Sequence, residues 1–507
     1  MRGGRRARQI ADAAGSARKT NYGQLKNPFP PMAAFSEDHI AKMHDTALSV
    51  LETLGIAVLL PEARQMFAAA GALVDEDTGM VRIGRDIVAQ ALGTAPKSFT
   101  LIAGDPTKNL QVELGSLIFQ PGAGAPHATD RTRGRRPGTL SDFEELIRLT
   151  QHFDVLHMIP PLVEPQDIPI NLRHYAMMES QCRVTDKVPF IFSRGTPQIT
   201  ECFEMLRDFR GLSDDAFLES PHCYTIINTN SPRTLDIPMA QGLIDFAKAG
   251  QMSIVTPFTL MGAMAPITIA GAITLSHAEA MAAITLTQLA RPGAPVCYGT
   301  FTSNVDMKSG APVFGTPEHF RASLAAGQLA RLIGLPWRSA SGSAANIGDA
   351  QAANETQFGT WGCLMAGATV IIHAAGWMEG GLTVSYEKLI TDLEVLQMVA
   401  ELCTAGDAGA DIGLEALTDV KPGGHFFGTQ HTMDRYKTEF YEPLVADYAN
   451  YGNWVEHGSR DATARATDIW QGILDAPSPV KPDANRLADL HEYIARRTAA
   501  GGAAPVS

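Results

Sequence analysis

Cysteine is scarce in this chain: six residues in 507, at positions 182, 202, 223, 297, 363 and 403. No two stand in a CxxC spacing, so neither a thiolate zinc site nor a dithiol redox pair has a local signature. Unpaired, scattered thiols fit reduced side chains in the cytoplasm better than a disulfide framework. Positive charge is also in deficit, with 41 Lys and Arg against 54 Asp and Glu, a net charge of −13. That balance argues against a nucleic-acid binder, whose footprint is basic. Nucleotide loops are missing as well. No Gly-Lys-Ser/Thr follows the Gly-rich run QPGAGAPHATD at 120–130, so it is not a P-loop, and no GxGxxG opens the first strand–helix unit. Two windows, 249–278 and 356–378, lack Asp, Glu, Lys and Arg and are long enough to span a bilayer. Prolines 257 and 266 interrupt the first, and glycines and His373 the second, so both read as a buried helix and strand and no membrane partner is expected. The Arg-rich N-terminus has no apolar core of the secretory kind and reads as a basic tail.

What is present is regular. The stretch 294–388 contains three consecutive units in which a short apolar run passes through a polar or Gly-rich loop into a long helix. The runs are PVCYGT (295–300), PWRSAS (336–341) and ATVIIH (368–373), and the helices begin near Thr316, Asp349 and Tyr386. Further apolar runs lie at 155–160, 189–193, 222–228 and 252–258, with a weaker eighth near 413–420. Strands alternating with helices at this spacing imply a parallel sheet, and eight units over about 270 residues fit a closed (β/α)8 barrel of the TIM type. An open doubly wound α/β sheet is the competing architecture.

The rest of the chain divides around that barrel. Residues 1–34 form an arm ending in a Pro-rich loop. Residues 35–138 form an N-terminal α/β cap domain, starting with a helix capped by Ser36. The barrel spans 139–427 and opens on a helix with a capping box from Ser141 to Glu144. Residues 428–507 form a C-terminal helical extension, with helices expected over 432–441, 451–474 and 485–497.

Several stretches together resemble one family. They are MGAMAPITIAGAITLSHAEAMA (261–282), ARPGAPVCYGTFTSNVDMKSGAPVFGTPE (290–318), IINTNSPRTLD (226–236), DAQAANE (349–355) and HAAGWMEGGLTVSYEKLITDLE (373–394). These are similar to the trimethylamine/glycine-betaine corrinoid methyltransferases, the MttB-like proteins, and the likeness extends over about residues 30–498. The resemblance implies a barrel enzyme that moves a methyl group from a methylated amine to the Co(I) of a separate corrinoid protein docked over the barrel mouth. No corrinoid-binding motif is present, since Asp489-Leu-His491 lacks the glycine of DxHxxG. The cofactor is therefore expected on the cognate partner. Archaeal trimethylamine enzymes of the family carry pyrrolysine, and this chain is standard throughout. That points to the non-pyrrolysine branch, where quaternary amines such as glycine betaine are the known substrate type. Trimethylamine demethylation, or non-catalytic quaternary-amine sensing on the same barrel, are the alternatives. A lyase or aldolase would call for a strand-end lysine or a metal cluster, and the sequence offers neither. A homo-oligomer is expected, and no bound metal.

Within this reading the candidate residues stand after the strands, because the carboxyl ends of barrel strands face one mouth. His373 takes the catalytic position, to bind a substrate carboxylate or polar group. Asn228, Asn230, Phe258, Tyr298, Trp377 and Glu379 are candidates for binding substrate. The aromatic rings would hold the cation, and Glu379 would balance its charge. Asp306 and His127 are expected to face the corrinoid partner.

Overall fold

Short apolar runs bounded by proline and glycine become the strands of one ring. The computed structural model describes residues 21–404 and 411–506. Its parallel strands are β1 (Ser116–Phe119), β2 (Tyr224–Ile227), β3 (Met252–Val255), β4 (Val296–Gly299), β5 (Trp337–Ala340) and β6 (Val370–Ile372). Strands β2 to β6 pair in sequence order, and β6 pairs back onto β1 through Val370↔Ile118 and Ile371↔Phe119. Between β1 and β2 the ring is completed by two extended segments at 157–159 and 188–191. His157 N–H donates to the Phe119 carbonyl at 2.9 Å, and single bridges join Met158 to Val188 and Phe190 to Tyr224. Eight parallel segments thus close on themselves, which makes the expected barrel and leaves the open sheet without support.

The ring corrects two boundaries. Its first strand is Ser116–Phe119, inside the segment assigned to the cap, so the barrel starts at 116 and not at 139. SLIF is a four-residue run beside a Gly-rich loop, too short to announce itself by periodicity. The weak eighth strand near 413–420 is instead the helix Leu414–Asp419, with Leu414 and Leu417 exposed.

Side chains alternate across the wall. Ile118, Met252, Ile254, Cys297, Ala340, Val370 and Ile372 share one apolar cluster inside the ring. The hairpin of Ser98–Leu101 and Leu110–Glu113 adds Leu101, Leu110 and Val112 to that cluster. It is tied at Ile102 N–H to the Pro221 carbonyl (2.8 Å) and at Gly104 N–H to the Asp186 carbonyl (2.7 Å), both just ahead of strand segments. The amino-terminal end of the barrel is thereby plugged, and the carboxyl-terminal end stays open.

The remaining elements brace the outside. The first cap helix, Glu37–Ser49, starts at Ser36, whose hydroxyl accepts from His39 N–H. The helix Leu140–His152 is capped two residues earlier than expected, by a box of Thr139 and Asp142, not Ser141 and Glu144. Helix Ile269–Ala290 is long and apolar enough to cross a membrane by composition, but it is largely buried inside the fold. The stretch expected as one helix over 451–474 is two, Tyr451–Glu456 and Ala462–Asp475, the second restarted by the cap Asp461. Glu387 fixes that second helix to the barrel by accepting from Thr467 Oγ1 (3.0 Å) and Trp470 Nε1 (2.9 Å). Of the arm, Leu25–Lys26 pairs antiparallel with β1. All six cysteines are free.

Candidate active site

A cavity of about 430 Å³ opens at the carboxyl-terminal mouth. Strand parity decides its walls: Phe190, Phe192, Ile226, Asn228, Arg338 and Ile372 all line it from within their segments or from the residue that follows. Phe258, Phe301, His373 and Trp377 complete it from the loops that follow. The rings form one connected layer. Phe301 lies 5.1 Å from Phe258, 5.2 Å from His373 and 5.8 Å from Trp377, centroid to centroid, and His373 stacks on Trp377 at 4.4 Å and 22°.

Glycines give Trp377 its place. A Cβ on Gly342 would fall 2.4 Å from the indole, and one on Gly381 2.7 Å from it. Gly122, in the Gly-rich run 120–130, backs the same side chain. That run therefore serves as a seat for an aromatic ring, with Ala123 and Gly124 at the cavity edge.

His373 adopts φ 54°, the left-handed region that a non-glycine residue enters at a cost of about 1–3 kcal/mol. Neighbouring hydrogen bonds hold it there: Ser341 Oγ donates to its carbonyl (3.1 Å) and Ala374 N–H to the Gln120 carbonyl (3.0 Å). Burial, with the charge of Arg338 nearby, keeps its pKa well below the ordinary imidazole value, so the ring is neutral. Its Nδ1 has no hydrogen-bond partner.

Arg338 is the group that strand-end reading misses. It sits within β5 and is 1 % exposed. Nη1 donates to Thr256 Oγ1 (2.5 Å) and to the Thr300 carbonyl (3.0 Å), while Nε has no partner. Burial pulls its pKa down to about 9, which leaves it charged at neutral pH. The guanidinium lies over the Phe301 ring at 5.1 Å.

Comparison with known proteins places this arrangement. The family model for trimethylamine methyltransferase (MTTB) matches residues 1–502. The chain belongs to that family. It is 32% identical over 478 residues to a glycine betaine methyltransferase of Desulfitobacterium hafniense (strain Y51), covering 94% of this chain and 98% of that one. A trimethylamine methyltransferase, MttB, of D. hafniense (strain DSM 10664 / DCB-2) is 28% identical over 491 residues, 96% of each chain. The crystal structure of a hydroxylamine complex of MtmB superposes with a TM-score of 0.50 at 10% identity, over 96% of this chain and 92% of that one, a likeness of fold. The protein is thus a methyltransferase of the MTTB family on an α/β barrel.

The structure divides the expected site residues. His373, Trp377, Phe258 and Asn228 meet at the cavity. Asn230 does not: its backbone pairs with Thr234 and its side chain accepts from Asp236 N–H (3.3 Å), a turn cap. Tyr298 is a correction. It faces outward from β4, where its hydroxyl meets His277 Nδ1 at 3.0 Å, because Cys297 and Gly299 hold the inward positions. Glu379 is also turned away, gripped by Arg135 through both carboxylate oxygens at 2.9–3.1 Å, and it is Gly380 and Gly381 that line the cavity. Asp306 caps its own turn through Ser309 N–H (3.0 Å) and Oγ (2.7 Å). His127 starts a short strand parallel to Thr383–Ser385, with Nδ1 3.1 Å from the Leu382 carbonyl. Among the described residues, no three His, Cys, Asp or Glu side chains gather as a metal site.

Proposed function

We propose that this chain demethylates a small quaternary amine of the glycine-betaine kind, passing the methyl group to a corrinoid carried by a cognate partner protein. The observation that supports this reading most is the cavity itself: five aromatic rings and a neutral histidine around an open mouth, with no carboxylic acid among its walls. Such walls bind an N-methylated cation by its rings, at about 0.5–2 kcal/mol per face. They provide no acid to protonate a departing amine. A quaternary substrate needs none. When a methyl group is taken from it, the C–N electron pair stays on nitrogen and a neutral tertiary amine leaves. Trimethylamine, at neutral pH, leaves only when protonated or otherwise activated.

The chain's work is then orientation. The rings hold the ammonium head so that one methyl group points out of the mouth, in line with the incoming acceptor. The Co(I) of the partner's corrinoid supplies the nucleophile. The surrounding loops suit a partner surface: Ile267, Met307 and Ile347, on the loops after β3, β4 and β5, are 68%, 68% and 65% exposed. Asp306, beside Met307, and His127 are the polar residues we assign to that contact. Ground-state attraction for the cation stays modest, because positive charge is lost as the methyl group departs and tight binding of the substrate alone does not raise the rate.

Methyl transfer with purified protein tests this. Free Co(I) corrinoid is mixed with glycine betaine, proline betaine, carnitine, choline and trimethylamine, singly, and the corrinoid absorbance is followed. Turnover of one quaternary amine and not of trimethylamine is expected. Turnover of trimethylamine alone would assign the other substrate. Binding of a betaine without demethylation, also in the presence of the native corrinoid protein, would make the chain a sensor.

A further inference from the structure

We propose that Arg338 anchors a carboxylate carried by the substrate, so that the methyl donor is a betaine, a quaternary ammonium bearing its own carboxylate, and not a bare cation. The inference rests on the cavity being the methyl-donor site.

The guanidinium is only half used. One nitrogen, Nη1, is pinned by Thr256 and Thr300, while the edge formed by Nε and Nη2 donates to nothing within the described residues. That edge is the one a carboxylate meets side-on through two parallel hydrogen bonds. Among the described residues no Asp or Glu pairs with Arg338. The acid nearest in sequence to the cavity walls, Glu379, is held by Arg135. An ion this deeply buried is costly unless something compensates it, and the protein supplies only a hydroxyl, a carbonyl and the face of Phe301.

Other unsatisfied polar atoms lie around the same rings. Trp377 Nε1 and His373 Nδ1, both on the cavity wall, have no partner. With the free edge of Arg338 they add two further groups able to donate, and a carboxylate has room to accept about four hydrogen bonds.

Electrostatics then selects the ligand. Two arginines line the cavity, and Arg194 is already paired with Glu164. Choline or a protonated amine would bring a further positive charge beside the unpaired Arg338, with no carboxylate on the cavity wall to offset it. A betaine is neutral overall. Its carboxylate would sit inward on Arg338, and its ammonium head outward among the rings, so that one anchor both neutralises the arginine and aims a methyl group at the mouth.

Calorimetry on the full-length protein decides between these ligands. Glycine betaine is compared with its methyl ester, which keeps the ammonium head and loses the anion, and with choline. Glycine betaine is expected to bind about tenfold to a hundredfold more tightly than the ester. Arg338→Met should bring that ratio near one, and Arg338→Lys should keep part of it. In turnover, Arg338→Lys should raise KM for glycine betaine more than it lowers kcat. Equal affinity for ester and betaine in the native protein overturns the proposal without need of any variant, as does absence of betaine binding, or an undiminished ratio in Arg338→Met. Transfer is measured separately. Carboxylate-dependent binding without transfer keeps the anchor and removes the methyltransferase reading. Transfer from choline at the kcat/KM of glycine betaine does the reverse.

Discussion

Among the described residues three Lys and Arg side chains are buried, and one of them, Lys388, is paired with Asp392. The other two, Lys187 and Arg338, stand at opposite ends of the barrel and are held in opposite ways. Lys187, 3 % exposed, lies at the plugged end just ahead of the segment 188–191. Its Nζ donates to the carbonyls of Thr150 (2.7 Å), Phe153 (2.8 Å) and Leu156 (2.5 Å). Those carbonyls end the helix Leu140–His152 and its following turn, where backbone acceptors have no helical partner and the helix dipole is negative. All three ammonium donors are used. Arg338, at the open end, uses one nitrogen and leaves an edge bare. Equal burial therefore has different meanings. A cation whose donors are all taken holds the fold together, and one whose donors are half taken is built to meet something from outside.

Acid is the bluntest way to break the contrast, because it creates buried cations at both ends. His157 and His319 are pushed down to about 4 by burial, His277 to about 3, and His373 well below 6.5. Each is neutral in the folded chain and takes its proton near pH 6.5 when unfolded. Between those values the unfolded state binds more protons, so stability rises with pH and is lost as pH falls from 6.5 towards 4. The slope is at most about 1.4 kcal/mol per pH unit for each histidine. Urea midpoints measured from pH 7.5 to 5 should fall steeply below 6.5. A flat profile would mean that these rings are charged in the fold.

Single substitutions sharpen the contrast. Lys187→Met leaves three buried carbonyls without a donor and should cost about 3 kcal/mol or more. Arg338→Met removes a charge that has no carboxylate, and should change stability by less than about 1 kcal/mol in either direction. Paired denaturation curves check both. Comparable losses would put the two cations in the same structural class.

Much of this arrangement is visible in the sequence, and the failures share a cause. Strands at 222–228, 252–258, 295–300, 336–341 and 368–373 contain β2 to β6, because short apolar runs with Gly and Pro at their borders are local signals. His373, Trp377 and Phe258 were reachable from the rule that chemistry follows the strands. Tyr298 obeys that rule and still faces away, since two-residue alternation decides the face and position along the chain does not. Applied to PWRSAS, the same alternation would have found Arg338: Trp337 and Ser339 lean on the outer helices, through Gly367 and Ser323, so the arginine between them points in. Glu379 lies beyond any such rule. Its partner Arg135 is 244 residues away, on the hairpin beside the mouth, and only the closed ring brings them together.

Two milder substitutions separate the inside of the mouth from the outside of its wall. Gly342→Ala would drive a methyl group into the Trp377 ring at a position with φ 103°. Displacing the indole should cost about 1–3 kcal/mol of stability and weaken glycine betaine binding several-fold, since a cage wall moves. Tyr298→Phe, on the outer face, removes one hydroxyl and leaves the ring in place. The hydrogen bond lost is the one to His277, whose Nε2 still meets His44 at 2.8 Å. The expected loss is about 1 kcal/mol of stability, with kcat/KM unchanged. A drop in kcat/KM for Tyr298→Phe at full fold occupancy would show that the outer relay of His44, His277 and Tyr298 reaches the site through β4, and that the barrel wall does not isolate the cavity from the helices behind it.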